Sequence, residues 1–432
     1  MITINKPTRP LSASRSAQLA KLTPGGVNSP FRSFQEVGGH TIFFSKGEGS
    51  RIFDIDGNSY LDYLGAWGPA ILGHSHPQII EACQRALSLG AVFGAPHEFE
   101  LELASLLVQS VESLEQVRFV NSGTEAVMSA VRLARGATGR HRIIIMEGGY
   151  HGHSDSVLAS NRHTSSAGIP KATADYTLLV PFNNLNALEE CFVALGSDIA
   201  AVLLEPVPGA MCVIPPEPGY LEGVRRLSTK YGALLIFDEV LTGCRVRLGG
   251  AQELYGVKPD LSCFGKALGG GMPIGAYGGP EALMRELLPI GKVYQAGTFS
   301  GNPVTMAGGI ETLRLLSDPK FFVELESKSA RLFSGLAGAI KRTEAPVKLQ
   351  RVGSMFSIVF ARHHVKNYVD SLSVDKRAYA RFFHYLLDRG IYLTPSAIDE
   401  ACLSIAHSEE EIDFTIDVCE QAFAEIVQLD QA

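Results

Sequence analysis

Cysteines spaced as CxxC, a surplus of basic charge and apolar runs long enough to cross a bilayer are all missing from this 432-residue chain. Each absence excludes something. The seven cysteines (Cys83, Cys191, Cys212, Cys244, Cys263, Cys402 and Cys419) are scattered and odd in number. That argues against a zinc site or a disulfide framework and for a reducing, cytoplasmic compartment. A net charge of −7 leaves no basic footprint for nucleic acid. No stretch has the length of a membrane span, and the first residues, MITINKPTRPLSASRS, lack the apolar core of a secretory signal. Neither the GxxxxGK[ST] loop nor the GxGxxG fingerprint of nucleotide sites occurs. Tryptophan is found once, as Trp67 in GAWGP. An indole among such structure-breaking residues is either a core plug or the wall of a pocket.

What is present reads as a large soluble enzyme. The length suits two or three domains, and 46% hydrophobic with 19% charged residues is ordinary for a globular protein. The most informative stretch is 233–271. An apolar run, Ala233 to Phe237, stops at Asp238; a second, Leu261 to Phe264, stops at Gly265-Lys266 and a glycine cluster. Strand ends at the carboxyl edge of an α/β sheet are where such folds place ligands. An Asp and a Lys delivered there suit pyridoxal phosphate, whose carbonyl bonds to Lys and whose ring nitrogen pairs with Asp.

Strand-like runs recur near 117, 143, 200, 233 and 261, each ending in polar or glycine-rich residues: Asn121-Ser122-Gly123, Glu147-Gly148-Gly149, Glu205, Asp238-Glu239 and Gly265-Lys266. Helical patterns fall between several of them. The alternation predicts a mostly parallel sheet with helices on both faces. Ser122, Gly123 and Thr124 open a helix, where hydroxyls and orphan amides serve either an anion or simple capping. Tyr150, His151 and His153 follow another strand and suit stacking on a planar ring better than a metal. The cluster Thr298–Gly301 serves either a phosphate or a turn. Arg32, in a turn-rich setting, reads from spacing alone as a surface charge.

Around this core the chain divides into an arm over 1–50, a large domain over 51–316 and a smaller α+β domain over 317–432. A helix is expected over Ser14–Leu22, a hairpin around Asp56-Gly57-Asn58, and a helix over Pro77–Leu89. In the last part, helices are expected over 321–342 and 375–389 and strands over Ser354–Phe360, Ile391–Leu393 and Leu403–Ala406. Ser408 and Glu411 form a capping box for the final helix.

The ordered motifs SGTEA, YHGH, a strand ending in Glu-Pro, a strand ending in DEV, GK before GGG, and GTFSGNP resemble the class III aminotransferases of pyridoxal-phosphate fold type I. The resemblance spans about 20–425. PGGVNSPFRSF, GAWGPAILGHSHP, FGAP and YQAGTFSGNP are most similar to the glutamate-1-semialdehyde 2,1-aminomutase family. It implies a sheet of the seven-stranded type in the large domain, a homodimer with a shared active site, and cofactor alternating between its pyridoxal and pyridoxamine forms. Lys266 would be the Schiff-base lysine and Asp238 the partner of the ring nitrogen. Ser122, Gly123 and Thr124 would hold the phosphate, with Thr298 coming from the neighbouring subunit; Tyr150 would stack on the ring, with His151 and Glu205 also in the cofactor site. Ser29, Arg32, Trp67 and Asp399 would bind substrate, Arg32 through its carboxylate.

Two departures from the family pattern stand out. Asp399 falls where that family usually has Glu. Residues 154–178 are shorter than the family's loop and lack its Gly-Ser-Gly stretch, which predicts escape of intermediates or a different amino donor or acceptor. The implied reaction is therefore transfer of an amino group within one small carboxylated molecule, or else intermolecular transfer from a β-amino or pathway-specific amine. Lack of any Arg or Lys beyond Arg389 removes a C-terminal-domain partner for a 2-oxoglutarate carboxylate.

Overall fold

A computed structural model describes residues 7–158 and 167–431 and divides the chain into two compact units. The smaller comprises the chain up to His76 together with Val323–Val365 and Val369–Ala432; the larger is Pro77–Phe322 with Lys366–Tyr368.

In the smaller unit, β1 (Phe44–Glu48), β2 (Arg51–Asp54) and β3 (Ser59–Asp62) form an antiparallel run. The β2–β3 turn is set by Asp54, whose Oδ1 accepts the amides of Asp56 (3.0 Å) and Asn58 (2.7 Å). A side chain bonding its own backbone two to four residues on is what makes Asp a turn former. The first helix runs Pro10–Leu19 rather than 14–22, since proline is accommodated in a helix's first turn.

The larger unit holds β4 (Gln116–Val120), β5 (Arg142–Met146), β6 (Thr177–Val180), β7 (Ile199–Leu204), β8 (Leu234–Asp238), β9 (Leu261–Gly265) and β10 (Gly275–Gly279). They make one seven-stranded sheet in the order β4-β10-β9-β8-β7-β5-β6, with β10 alone running against its neighbours. β7 and β9 are buried along their whole length, as expected of strands covered on both faces. The five strand runs expected from sequence are all present; β6 and β10 were not foreseen. β10 reads Gly-Ala-Tyr-Gly-Gly, which carries no hydrophobic pattern. Its glycines are required by crowding: a Cβ on Gly275 would stand 2.1 Å from the Ser122 carbonyl oxygen, and one on Gly278 2.3 Å from that of Gln116.

The remaining strands, β11 (Val347–Val352), β12 (Met355–Phe360), β13 (Ile391–Tyr392) and β14 (Ala401–Cys402), return to the smaller unit. β14 lies two residues before the strand expected at 403–406. β13 adds to β3 in parallel, Ile391 opposite Leu61 and Tyr392 opposite Asp62. This pairing places residues 51–76 in the smaller unit, whereas the sequence division assigns them to the large domain. Phe34 packs edge-on against Phe383, so the arm completes the same unit. The long helices Pro319–Thr343 and Glu409–Gln431 are present, the latter capped by both bonds of the Ser408–Glu411 box (3.1 and 3.2 Å).

Candidate active site

The carboxyl ends of β4, β5, β7, β8 and β9 converge on one edge of the large sheet. Asp238 ends β8 in register with Cys263 of β9, so Lys266, three residues beyond, is delivered at the same edge. Lys266 has φ +44°, a left-handed conformation that turns the chain sharply as the strand ends. Asp238 is buried and doubly held: Oδ1 accepts the Val240 amide (3.1 Å) and Oδ2 lies 2.8 Å from His151 Nδ1. A carboxylate only accepts, so Nδ1 carries the proton of that contact. His151 Nε2 is buried without a hydrogen-bond partner.

Glu205, at the end of β7, joins two loops. Its Oε1 accepts the Tyr150 amide (2.9 Å) and its Oε2 the Gly209 amide (3.3 Å). Burial pushes the Glu205 carboxyl up to about 7, with His151 opposing and Asp238 reinforcing the shift. For His151, burial works against the charged ring, but the bond to Asp238 and the charges of Asp238 and Glu205 prevail and raise its pKa. Two acids and one base are thus buried together at the sheet edge.

Ser122 caps the helix Gly123–Thr138, its Oγ accepting the Glu125 amide (3.2 Å). The capping alternative is therefore realised for its hydroxyl, while the amides of Gly123 and Thr124 begin a helix and have no intrahelical acceptor. Thr124 Oγ1 lies 3.2 Å from His153 Nδ1. A Cβ on Gly152 would stand 2.3 Å from Thr124 Oγ1, and one on Gly123 2.8 Å from Val240 Cγ1. The cradle admits backbone there and nothing more. Thr298 is exposed in a turn and lines a cavity of about 440 Å³ together with residues 92–97, Glu100, Gly297 and 300–303.

The substrate residues implied by resemblance lie in the smaller unit. Ser29 precedes the turn Pro30–Arg32, and Phe31 sets its ring 5.8 Å from Trp67. Asp399 is buried in a loop tied to the arm by Ser396 Oγ and Glu36 Oε2 (3.1 Å). Residues 159–166 of the shortened loop lie outside the described residues. Sequence reasoning missed Val240, whose amide holds Asp238 and whose side chain closes on Gly123. A signal existed: an Asp bonding the amide two residues on is a recurrent pattern.

The class-III aminotransferase model matches residues 34–421. The chain belongs to that family. As a class-III aminotransferase it is a pyridoxal-phosphate-dependent enzyme of the α/β fold described above. It is 50% identical over 419 residues to the glutamate-1-semialdehyde 2,1-aminomutase of Desulforudis audaxviator, covering 95% of this chain and 97% of that protein. Among solved structures it resembles an omega-transaminase from Sphaerobacter thermophilus (TM-score 0.91, 34% identity, 96% and 97% coverage). It also resembles the beta-phenylalanine aminotransferase of Variovorax paradoxus (0.88, 30%, 95% and 93%). A glutamate-1-semialdehyde aminomutase from Pseudomonas aeruginosa, solved as a variant in complex with PMP, follows at 0.87, 25% identity, 97% and 95% coverage. The residues of this aminotransferase fit the cofactor. A buried acid, an amine across the strand pair and a side-chain-free cradle at the mouth of a 16-residue helix answer to its ring nitrogen, carbonyl and phosphate.

Proposed function

We propose that this enzyme is a glutamate-1-semialdehyde 2,1-aminomutase, moving an amino group between neighbouring carbons of one small carboxylated molecule. The observation that carries this reading is 50% identity over 95% of the chain to proteins of that name, with Lys266 and Asp238 at one sheet edge. When bound, pyridoxal phosphate supplies a carbonyl that takes up amines and a ring that accepts electron density. Lys266 Nζ anchors the carbonyl and moves a proton between the reacting carbons; positioned proton transfer contributes about 10²–10⁴ in rate. Asp238, held by His151 and the Val240 amide, keeps a proton on the ring nitrogen. The amides of Gly123 and Thr124 bind the phosphate with the helix dipole behind them, joined by Thr298 of a second copy. Tyr150, on the amide anchored by Glu205, stacks on the ring, and Arg32 pairs with the substrate carboxylate, with Ser29, Trp67 and Asp399 completing its pocket.

We further assign the active form as a homodimer in a reducing, cytoplasmic setting. Phe93, which lines the Thr298 cavity, is exposed, as are Tyr294 and Phe299 in the segment that carries Thr298, and the seven cysteines are scattered without CxxC spacing. The division of labour is a cofactor domain within Pro77–Phe322 and a smaller domain built from the chain up to His76 together with Val323–Val365 and Val369–Ala432.

The test is conversion of glutamate-1-semialdehyde to 5-aminolevulinate by purified enzyme with no amino acceptor added. A second reading, intermolecular transfer from a β-amino acid, is favoured by the likeness to a beta-phenylalanine aminotransferase and by the short 154–178 segment. It predicts no conversion of the semialdehyde, but amination of an added keto acid by β-phenylalanine.

A further inference from the structure

Gly65, Ala66, Trp67 and Gly68 all have positive φ, at 56°, 53°, 64° and 109°. Glycine adopts this region freely, but alanine and tryptophan persist there only when their surroundings over-determine them. Those surroundings can be named. Asp62, the last residue of β3, accepts the amides of Leu64 (3.0 Å) and Gly65 (3.1 Å) on Oδ1. Its Oδ2 lies 2.6 Å from His74 Nε2. His74 is itself locked in place. Its amide donates to the Gly49 carbonyl (2.7 Å), its carbonyl accepts from the Gly49 amide (3.0 Å), and a Cβ on Gly47 would stand 2.8 Å from its ring. Tyr63, between the strand and the turn, is fixed through the Tyr392 carbonyl (2.9 Å) and the Cys402 amide (2.7 Å).

Nothing in the strand pairing of β3 requires a left-handed run after it. The run presents an indole that is half-buried beside Phe31, the residue before Arg32. A buried carboxylate spends both oxygens on holding it, and the second oxygen needs an imidazole brought from twelve residues away.

We propose that Asp62 and His74 are positioning residues for Trp67: together they hold the left-handed turn so that the indole is preset as a wall of the substrate site, which lowers KM. Neither touches substrate. The inference rests on the reading of Trp67 as a substrate-pocket residue. With the clamp weakened, Ala66 and Trp67 relax toward ordinary backbone conformations and the indole is distributed over several positions.

Trp67 is the chain's only tryptophan, so its emission in the full-length holoenzyme reports this turn alone. His74→Leu removes the contact to Asp62, whereas His74→Gln keeps a donor. Acrylamide quenching of His74→Leu is expected to rise about twofold, as a preset side chain becomes distributed. KM for glutamate-1-semialdehyde is expected to rise about tenfold with kcat nearly unchanged, the mark of lost uniform binding. His74→Gln restores both. Folded His74→Leu with wild-type quenching overturns the proposal. If that variant does not fold, Gly47→Ala takes its place: a Cβ there would stand 2.8 Å from the His74 ring and push it off Asp62, and quenching that stays at the wild-type value in that variant also overturns the proposal. Trp67→Leu separates the two readings. A KM unchanged in Trp67→Leu removes the substrate role of Trp67, while quenching in the His74 variants still decides whether the clamp holds the turn.

Discussion

Lys266 and Asp238 stand three residues and none, respectively, beyond one strand register, and the function proposed above places its chemistry on that short reach. Lys266→Ala is expected to lose about 10³-fold or more in turnover, through loss of a positioned proton carrier. It should also show no cofactor attached to the chain after borohydride treatment, by intact mass. The buried pair Glu205 and His151 makes a prediction about the cofactor-free protein. Glu205 titrates near 7 when folded against an ordinary 4.5, so the folded state holds more proton between those values and stability falls as pH rises through them. His151, also raised, acts in the same direction: its contribution is present below 6.5 and is lost as pH rises through its folded value. Denaturant titrations across pH 5–8 should therefore show decreasing stability, by up to about 1.4 kcal/mol per pH unit for each proton. Glu205→Gln should flatten part of the slope. At this scale the sequence was readable where chemistry marks a strand end, as at Asp238, Ser122 and Glu205. It was silent on which residues these ends touch. His151 reaches Asp238 across 87 positions and Glu205 reaches Tyr150 across 55, distances that only tertiary packing closes.

Among the elements, β10 shows how a strand can escape detection by pattern. β-propensity reflects side chains packing on a pleated surface, and β10 has almost none to pack. It is recognised instead by what its neighbours forbid. Gly278→Ala should destabilise the fold by about 1–3 kcal/mol through overpacking, measured by chemical denaturation. Gly275→Ala has a different consequence, since the clash falls on Ser122 at the head of the helix Gly123–Thr138. It should weaken cofactor affinity about tenfold by shifting that helix mouth, read by equilibrium titration of the cofactor-free protein. The final helix was legible to the residue because capping is local: Ser408 and Glu411 lie three apart. Ser408→Ala should cost about 1 kcal/mol.

For the molecule as a whole, exposed Phe93 at the Thr298 cavity and exposed Tyr294 and Phe299 in the segment that carries Thr298 call for a covering surface. Light scattering should give twice the chain mass, and Phe299→Glu should shift it toward the monomer and weaken cofactor retention. Five of the large sheet's seven strands and most long helices could be read from periodicity. The assignment of residues 51–76 could not, because a two-residue parallel pairing with Ile391–Tyr392 decides it and leaves no trace in either stretch alone. One more property follows from where the sulfurs lie. Six of the seven thiols are buried, and only Cys191 is partly accessible. Burial drives the Cys244 thiol up to about 12 and the Cys263 thiol well above its usual range, so neither offers the thiolate that alkylating reagents attack. A native sample given maleimide should accept at most one label per chain, and every further adduct counts molecules that have opened.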